Sequence, residues 1–295
     1  MIRSGFPVAR AGLDIAGRLV TQGYGPHVTG LLPMQEIVLG IGHFSVSGTL
    51  FGSAEIRISL SWGRMSYSQR VMRSPATGAD LELFRHIEKN LYTAVVSDSM
   101  DELGYRDQAL REFMRPLSPE DCFAGWARTL SCVDTYHIPE DPYAMEIEAL
   151  DSVLPGEVVI ASTADSLQNA PWGELLSTAA RARGARGAVI DGLVRDVKKI
   201  QALQFPVFAR GIKPVDSKGR GIILDYNVPV VCAGVRVNPG DLVFADYDGV
   251  VVVPAEILPQ VIQMATEKME RENGSRSELM AGAYLRDVYD KYGVL

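Results

Sequence analysis

The stretch between Glu157 and Ile190 constrains this chain more than any other. Pro155-Gly156 marks a turn, and Glu157 to Ala161 follows as a short β-branched strand. Trp172 to Arg183 carries apolar residues at helical spacing, Gly184 and Gly187 stop it, and Ala188-Val189-Ile190 reads as a buried strand. Strands joined through a helix lie parallel, with a right-handed crossover. Such a pair delivers the loops that follow its strands to one edge of the sheet. Those loops are Ser162 to Gly173 and Gly192 to Asp196, so Glu174 at the helix start is expected to face Arg195 and Asp196 across a crevice.

The flanking sequence supplies more of the same material. Leu81 to Lys89 and Thr93 to Leu103 read as helices, the second closed by Gly104 at a C-cap position. Pro206 to Phe208, Val228 to Cys232, Leu242 to Ala245 and Val250 to Val253 read as short strands. Glu256 to Glu272 and Glu278 to Lys291 read as closing helices. The pattern is that of an α/β domain with a central mixed sheet flanked by helices, spanning residues 73–295. Residues 1–72 are rich in Gly and Ser, without a sustained period, and read as an N-terminal extension outside the core. Arg3, Arg10 and Arg18 are interrupted by Asp14 and show no small-residue cleavage site, so a mobile extension or an upstream start is expected there, with Met65 or Met72 as alternative beginnings.

Charge and thiols exclude several classes of function. A net charge of -7 and a pI near 5.2 predict no general attraction to nucleic acid or anionic lipid, so an acidic ligand needs a local site. Cys122, Cys132 and Cys232 are widely spaced and odd in number, which fits a reducing cytoplasm rather than a disulfide framework. The charge-free run Ile37 to Ala54 is broken by His43, serines and glycines, and no membrane insertion is expected.

The crevice residues suggest a chemistry. Asp196 and Glu174 are hard oxygen donors suited to Mg²⁺ or Mn²⁺, with coordination positions left for substrate oxygens. Arg195 offers counter-charge to an enolate. The unpaired amides near Gly173, Glu174 and Leu175 form a cradle for a carboxylate, as helix N-termini do. A small 2-oxo acid fits that layout. The same residues also admit a plain account, in which Arg195 and Asp196 are a solvated loop pair and Glu174 is a first-turn carboxylate favoured by the helix dipole.

The runs Trp172-Gly173-Glu174-Leu175-Leu176 and Gly187 to Asp196 carry a family resemblance, as do Pro206 to Gly211, Pro239 to Val250 and Tyr292 to Leu295. Together they resemble the 4-hydroxy-4-methyl-2-oxoglutarate aldolases, which share a swivelling β/β/α-like fold with the ribonuclease activity regulator A proteins. The resemblance runs from about Leu81 to the end of the chain. It implies that Arg195 binds the keto acid and steadies the enolate, and that Asp196 anchors the metal. It further implies that the backbone of Gly173, Glu174, Leu175 and Leu176 holds the carboxylate, and that Glu174 stands where the family more often has Asp. A trimer or a pair of trimers is implied, with a glutamate from a neighbouring subunit completing the site, matched here to Glu272.

The expected activity is therefore metal-assisted retro-aldol cleavage of a 4-hydroxy-2-oxo acid, with oxaloacetate decarboxylation through the same pyruvate enolate. The rivals are a non-enzymatic regulator that binds a ribonuclease, a branch lacking the Asp after the Arg, and a lyase or hydratase acting on a sugar-acid derivative. His137 has no second ligand nearby and reads as a surface residue. Asp246 and Asp248 read as turn carboxylates, and Gly184 with Gly187 is no dinucleotide fingerprint because it ends a helix and enters a strand.

Overall fold

The computed structural model describes residues 74–294 and four short strands nearer the N-terminus, β1 (Ala11–Leu13), β2 (Leu19–Thr21), β3 (Ile37–Leu39) and β4 (Gly42–Phe44). β1 pairs with β2 and β3 with β4, each antiparallel. The chain divides into two units, Met1–Tyr67 and Ser68–Leu295. The other residues expected in the extension, Met65 and Met72 among them, lie outside the described residues.

The larger unit is built on a mixed sheet of β5 (Arg115–Pro116), β6 (Phe123–Asp134), β7 (Glu157–Ser162), β8 (Gly187–Val194), β9 (Val207–Ile212), β10 (Gly221–Tyr226), β13 (Leu242–Asp246) and β14 (Gly249–Val253). Its order is β14-β13-β6-β7-β8-β9-β5, with β10 also on β6. β6, β7, β8 and β9 are mutually parallel neighbours, as the strand, helix, strand reading requires. Along its other edge β6 meets two antiparallel partners in turn, β13 through Phe123 to Trp126 and β10 through Leu130 to Asp134. One segment nearly closes the sheet. Ala109 bridges Val251 on β14, and a few residues later Arg115 pairs with Ala209 on β9.

Alternation along the strands sorts side chains into three apolar layers. Val158 and Ile160 point into the closed side with Phe123, Val189, Phe208 and Val243. The hairpin of β11 (Val230–Cys232) and β12 (Val235–Val237) packs into the same layer. The strand expected over Val228 to Cys232 is present as β11, and Ala233 and Gly234, both at positive φ, turn the chain back into β12, which the sequence reading does not foresee.

Val159 and Ala161 face the second layer, against α3 (Ala144–Asp151), α4 (Glu174–Ala182) and α5 (Val197–Ala202). Phe244 and Trp126 face the third, against α1 (Gly78–Asn90), α2 (Thr93–Glu102) and α6 (Leu258–Met280). α6 runs straight through the expected break after Glu272. Gly274 is admitted in mid-helix because Tyr292, at the end of α7 (Leu285–Tyr292), lies over it: a Cβ there would stand 2.7 Å from the Tyr292 ring. Among the described residues no helix is long and apolar enough to cross a membrane.

Candidate active site

The loops that follow β7 and β8 meet beyond the ends of those strands, as the spacing predicts. Trp172 forms a parallel bridge with Val194, and the Arg195 amide donates to the Trp172 carbonyl at 3.0 Å. That pairing zips the loop before α4 onto the end of β8. Gly173 then lies directly against the Arg195-Asp196 pair. A Cβ on Gly173 would stand 2.9 Å from Asp196 Oδ2 and 3.2 Å from Arg195 Cγ, so any other residue there would push the Asp196 carboxylate aside. Gly173 caps α4 without any side-chain bond, which leaves the first-turn amides of Glu174, Leu175 and Leu176 without a capping partner.

Asp196 is the N-terminal flanking residue of α5 and adopts φ 59°, ψ 30°, the left-handed region that costs a non-glycine residue energy. Its side chain makes no capping bond, although Asp is favoured at that position for making one. The carboxylate instead projects at 43% exposure, 3.8 Å from Arg195 Nε. Arg195 has a closer partner in Asp216, with its terminal nitrogen 3.2 Å from Asp216 Oδ1. The other oxygen of Asp216 accepts from the Tyr143 hydroxyl at 2.7 Å. Burial alone raises the Asp216 pKa, but the Tyr143 hydroxyl, Arg195 and the amides of Ser217 and Lys218 together hold it below the usual carboxylate value. Tyr143 is pushed up to about 12, chiefly by its bond to Asp216. Nearby Glu146 is pushed up to about 7 by burial and then by the Asp216 charge, with Arg195 opposing.

Of the residues singled out from sequence, Gly173, Arg195 and Asp196 meet directly. Glu174 follows Gly173 and accepts from the Thr178 hydroxyl at 2.9 Å; Leu175 is exposed and Leu176 packs on the layer beneath α4. Glu272 is half-buried in α6, which packs against α2, α7 and α1 on a different flank, so it reaches a crevice of this kind only from another copy. Burial raises its pKa, with Arg276 opposing. Tyr143, Glu146 and Asp216 escaped the sequence reading: Tyr143 and Asp216 are separated by 73 positions, and no local spacing announces their meeting. His137 is exposed, as expected.

Among the described residues no group of three or more His, Cys, Asp or Glu is placed to hold a metal ion. Asp196, part-exposed, and Glu174, whose Oε1 accepts from Thr178, are hard oxygen donors, and their chemistry suits a water-rich cation such as Mg²⁺ or Mn²⁺ and not a closed zinc cage.

Residues 93–252, which contain this crevice, match the RraA-like family, described as Aldolase/RraA. The chain belongs to that family. An uncharacterized protein of Methanocaldococcus jannaschii is 46% identical over 122 residues, covering 41% of this chain and 58% of its own length, so this chain spans little more than half of that relative. A Halalkalibacterium halodurans relative is 33% identical over 205 residues, 68% of this chain and 92% of its own length, and bears the name "putative 4-hydroxy-4-methyl-2-oxoglutarate aldolase". Among solved structures, a Streptomyces coelicolor protein matches with a TM-score of 0.61 and 29% identity over 70% of this chain and 99% of its own. It is described as an unusual member of the RNase ES inhibitor RraA protein family. The mixed α/β sheet of this RraA-like chain, with its flanking helices, is thus the fold that its relatives share.

Proposed function

We propose that this RraA-like chain is a carbon-carbon lyase: a divalent-metal-dependent pyruvate aldolase that cleaves 4-hydroxy-4-methyl-2-oxoglutarate or a related 4-hydroxy-2-oxo acid, and decarboxylates oxaloacetate. The observation that carries this reading is the Asp196 carboxylate, kept in a costly backbone conformation, uncapped, and lodged between the Arg195 guanidinium and Gly173. The Asp196 carbonyl starts α5 by accepting from the Lys199 and Ile200 amides, but its carboxylate takes no hydrogen bond in return for that backbone, which points to function.

The residues divide the work by their chemistry. The α4 amides of Glu174, Leu175 and Leu176 bind the substrate carboxylate, where the helix dipole favours a negative charge. Arg195 donates to the C2 oxygen, which gains its charge only as the bond between C3 and C4 breaks, so its contribution is largest in the transition state. Asp196, with Glu174 directly or through water, would hold Mg²⁺ or Mn²⁺. The cation would polarise the C2 carbonyl. Assembly as a homotrimer or homohexamer would bring Glu272 of another copy to the crevice as a further acid or base.

A regulator that binds a ribonuclease is the second reading, favoured by the likeness to the Streptomyces structure. Such a role has no use for a strained carboxylate left open beside a guanidinium. Pyruvate release from a panel of 2-oxo acids, including a sugar-acid derivative, with Mg²⁺ and with a chelator, decides between them. Metal-dependent pyruvate formation is expected; none from any acid would favour the regulator.

A further inference from the structure

Arg195 stands between two carboxylates, its chain neighbour Asp196 and the remote Asp216, and is ion-paired to them at unequal distances. Arg195 Nε stands 3.8 Å from Asp196 Oδ2, beyond hydrogen-bond reach, while its terminal nitrogen lies 3.2 Å from Asp216 Oδ1. Asp216 is itself fixed from several sides. Its second oxygen accepts from the Tyr143 hydroxyl at 2.7 Å, and its own carbonyl accepts from Arg220 at 3.2 Å. The loop that carries it is tied down by the Ala170 amide, which donates to the Val215 carbonyl at 2.8 Å, and by the amides of Arg220 and Gly221, which donate to the Ser217 carbonyl at 2.7 and 2.8 Å.

We propose that Asp216, anchored by Tyr143, is a positioning residue that draws the Arg195 guanidinium away from Asp196 and so keeps the Asp196 carboxylate open to a cation. The inference rests on the reading of this crevice as a metal and enolate site. Its physical basis is competition between two carboxylates for one guanidinium. With Asp216 charged and immobile, Arg195 is satisfied without Asp196. With Asp216 neutral, Asp196 is the nearest carboxylate left to Arg195, and closing that pair would occupy the oxygens a cation needs while turning the guanidinium off the substrate. Tyr143 contributes through Asp216 alone, because its hydroxyl fills the one oxygen that Arg195 does not use.

The test is Mn²⁺ binding to the full chain, followed by electron paramagnetic resonance without substrate, in the unmodified protein and in Asp216→Asn, Tyr143→Phe, Arg195→Ala and the Arg195→Ala/Asp216→Asn pair. Asp216→Asn is expected to weaken Mn²⁺ by about threefold, the ratio one part-exposed ion pair is worth. Tyr143→Phe is expected to weaken it less, in the same direction. The decisive expectation is the double variant, which binds Mn²⁺ as Arg195→Ala alone does, because no guanidinium remains to collapse. Deuterium exchange of the pyruvate methyl, followed by nuclear magnetic resonance, provides a second readout and should fall in Asp216→Asn and recover in part in Asp216→Glu. An unchanged Mn²⁺ affinity in Asp216→Asn, or additive losses in the double variant, would overturn the role of Asp216 while leaving the metal reading intact. An unmodified chain that binds no Mn²⁺ would overturn both.

Discussion

Asp246 and Asp196 each stand at the end of a strand, and they are used in opposite ways. Asp246 closes β13 with both carboxylate oxygens engaged: Oδ2 accepts from the Thr93 amide at 2.8 Å, and Oδ1 from the Thr93 hydroxyl at 2.7 Å and the Asp248 amide at 2.9 Å. It caps α2 and fixes the turn before β14. Asp196 follows β8, stands where a cap is wanted, and caps nothing. A committed carboxylate belongs to the fold, and an uncommitted one in a strained backbone is available to a ligand. The turn role read for Asp246 from sequence is therefore correct but incomplete, since the partner in α2 lies 153 positions away.

The contrast can be broken at several points, beginning with the largest expected effect. Asp196→Asn should abolish metal-dependent pyruvate release with little loss of folding stability, read by assay and by chemical denaturation, because Asn tolerates the left-handed backbone as Asp does and the carboxylate makes no hydrogen bond that is lost. Arg195→Lys keeps the charge and loses the planar fork, so kcat should fall by about a hundredfold while Mn²⁺ affinity changes much less. Gly173→Ala forces a methyl to within 2.9 Å of Asp196 Oδ2 and should lower kcat/KM by roughly tenfold at unchanged melting temperature, as a small misplacement of reacting groups does.

Asp246→Ala should do the reverse. It should cost about 1 to 2 kcal/mol of stability, the worth of an N-terminal cap, and leave turnover per folded molecule unchanged. The smallest effect concerns Glu146, whose carboxyl is raised to about 7 by burial and then by Asp216. The folded state holds this proton more tightly than the unfolded chain. Its stabilising contribution is thus complete below the ordinary value of 4.5 and lost as pH rises through about 7. Denaturation of Glu146→Gln across that window should show a flatter profile than the unmodified protein.

Legibility in the sequence followed locality. Glu157 to Ile190 was readable because a β-branched run, an amphipathic helix and stopping glycines lie in one continuous stretch, and the topology of parallel strands then dictates where Glu174, Arg195 and Asp196 go. The longest strand, β6, left no such trace. It is buried along most of its length, so it shows no alternation, and Gly125, Arg128, Thr129 and Ser131 interrupt its apolar residues. Gly125 is required by the approach of the Gly156 carbonyl, which a Cβ would meet at 2.7 Å, and Arg128 is buried in an ion pair with Glu157 at 3.7 Å. Each exception has a partner remote in sequence. The same holds for Tyr143 and Asp216, and for Gly274, which reads as a helix stop until Tyr292 is seen above it.

The most direct test of the contrast is Mn²⁺ binding measured in parallel with unfolding free energy on Asp196→Asn, which keeps a residue that tolerates the left-handed backbone, and on Asp246→Ala. The account predicts a clean exchange: Asp196→Asn loses Mn²⁺ and keeps its stability, while Asp246→Ala keeps Mn²⁺ and loses stability. Undiminished Mn²⁺ binding by Asp196→Asn, together with a stability loss as large as that of Asp246→Ala, would show that Asp196 is one more structural carboxylate and contradict the account.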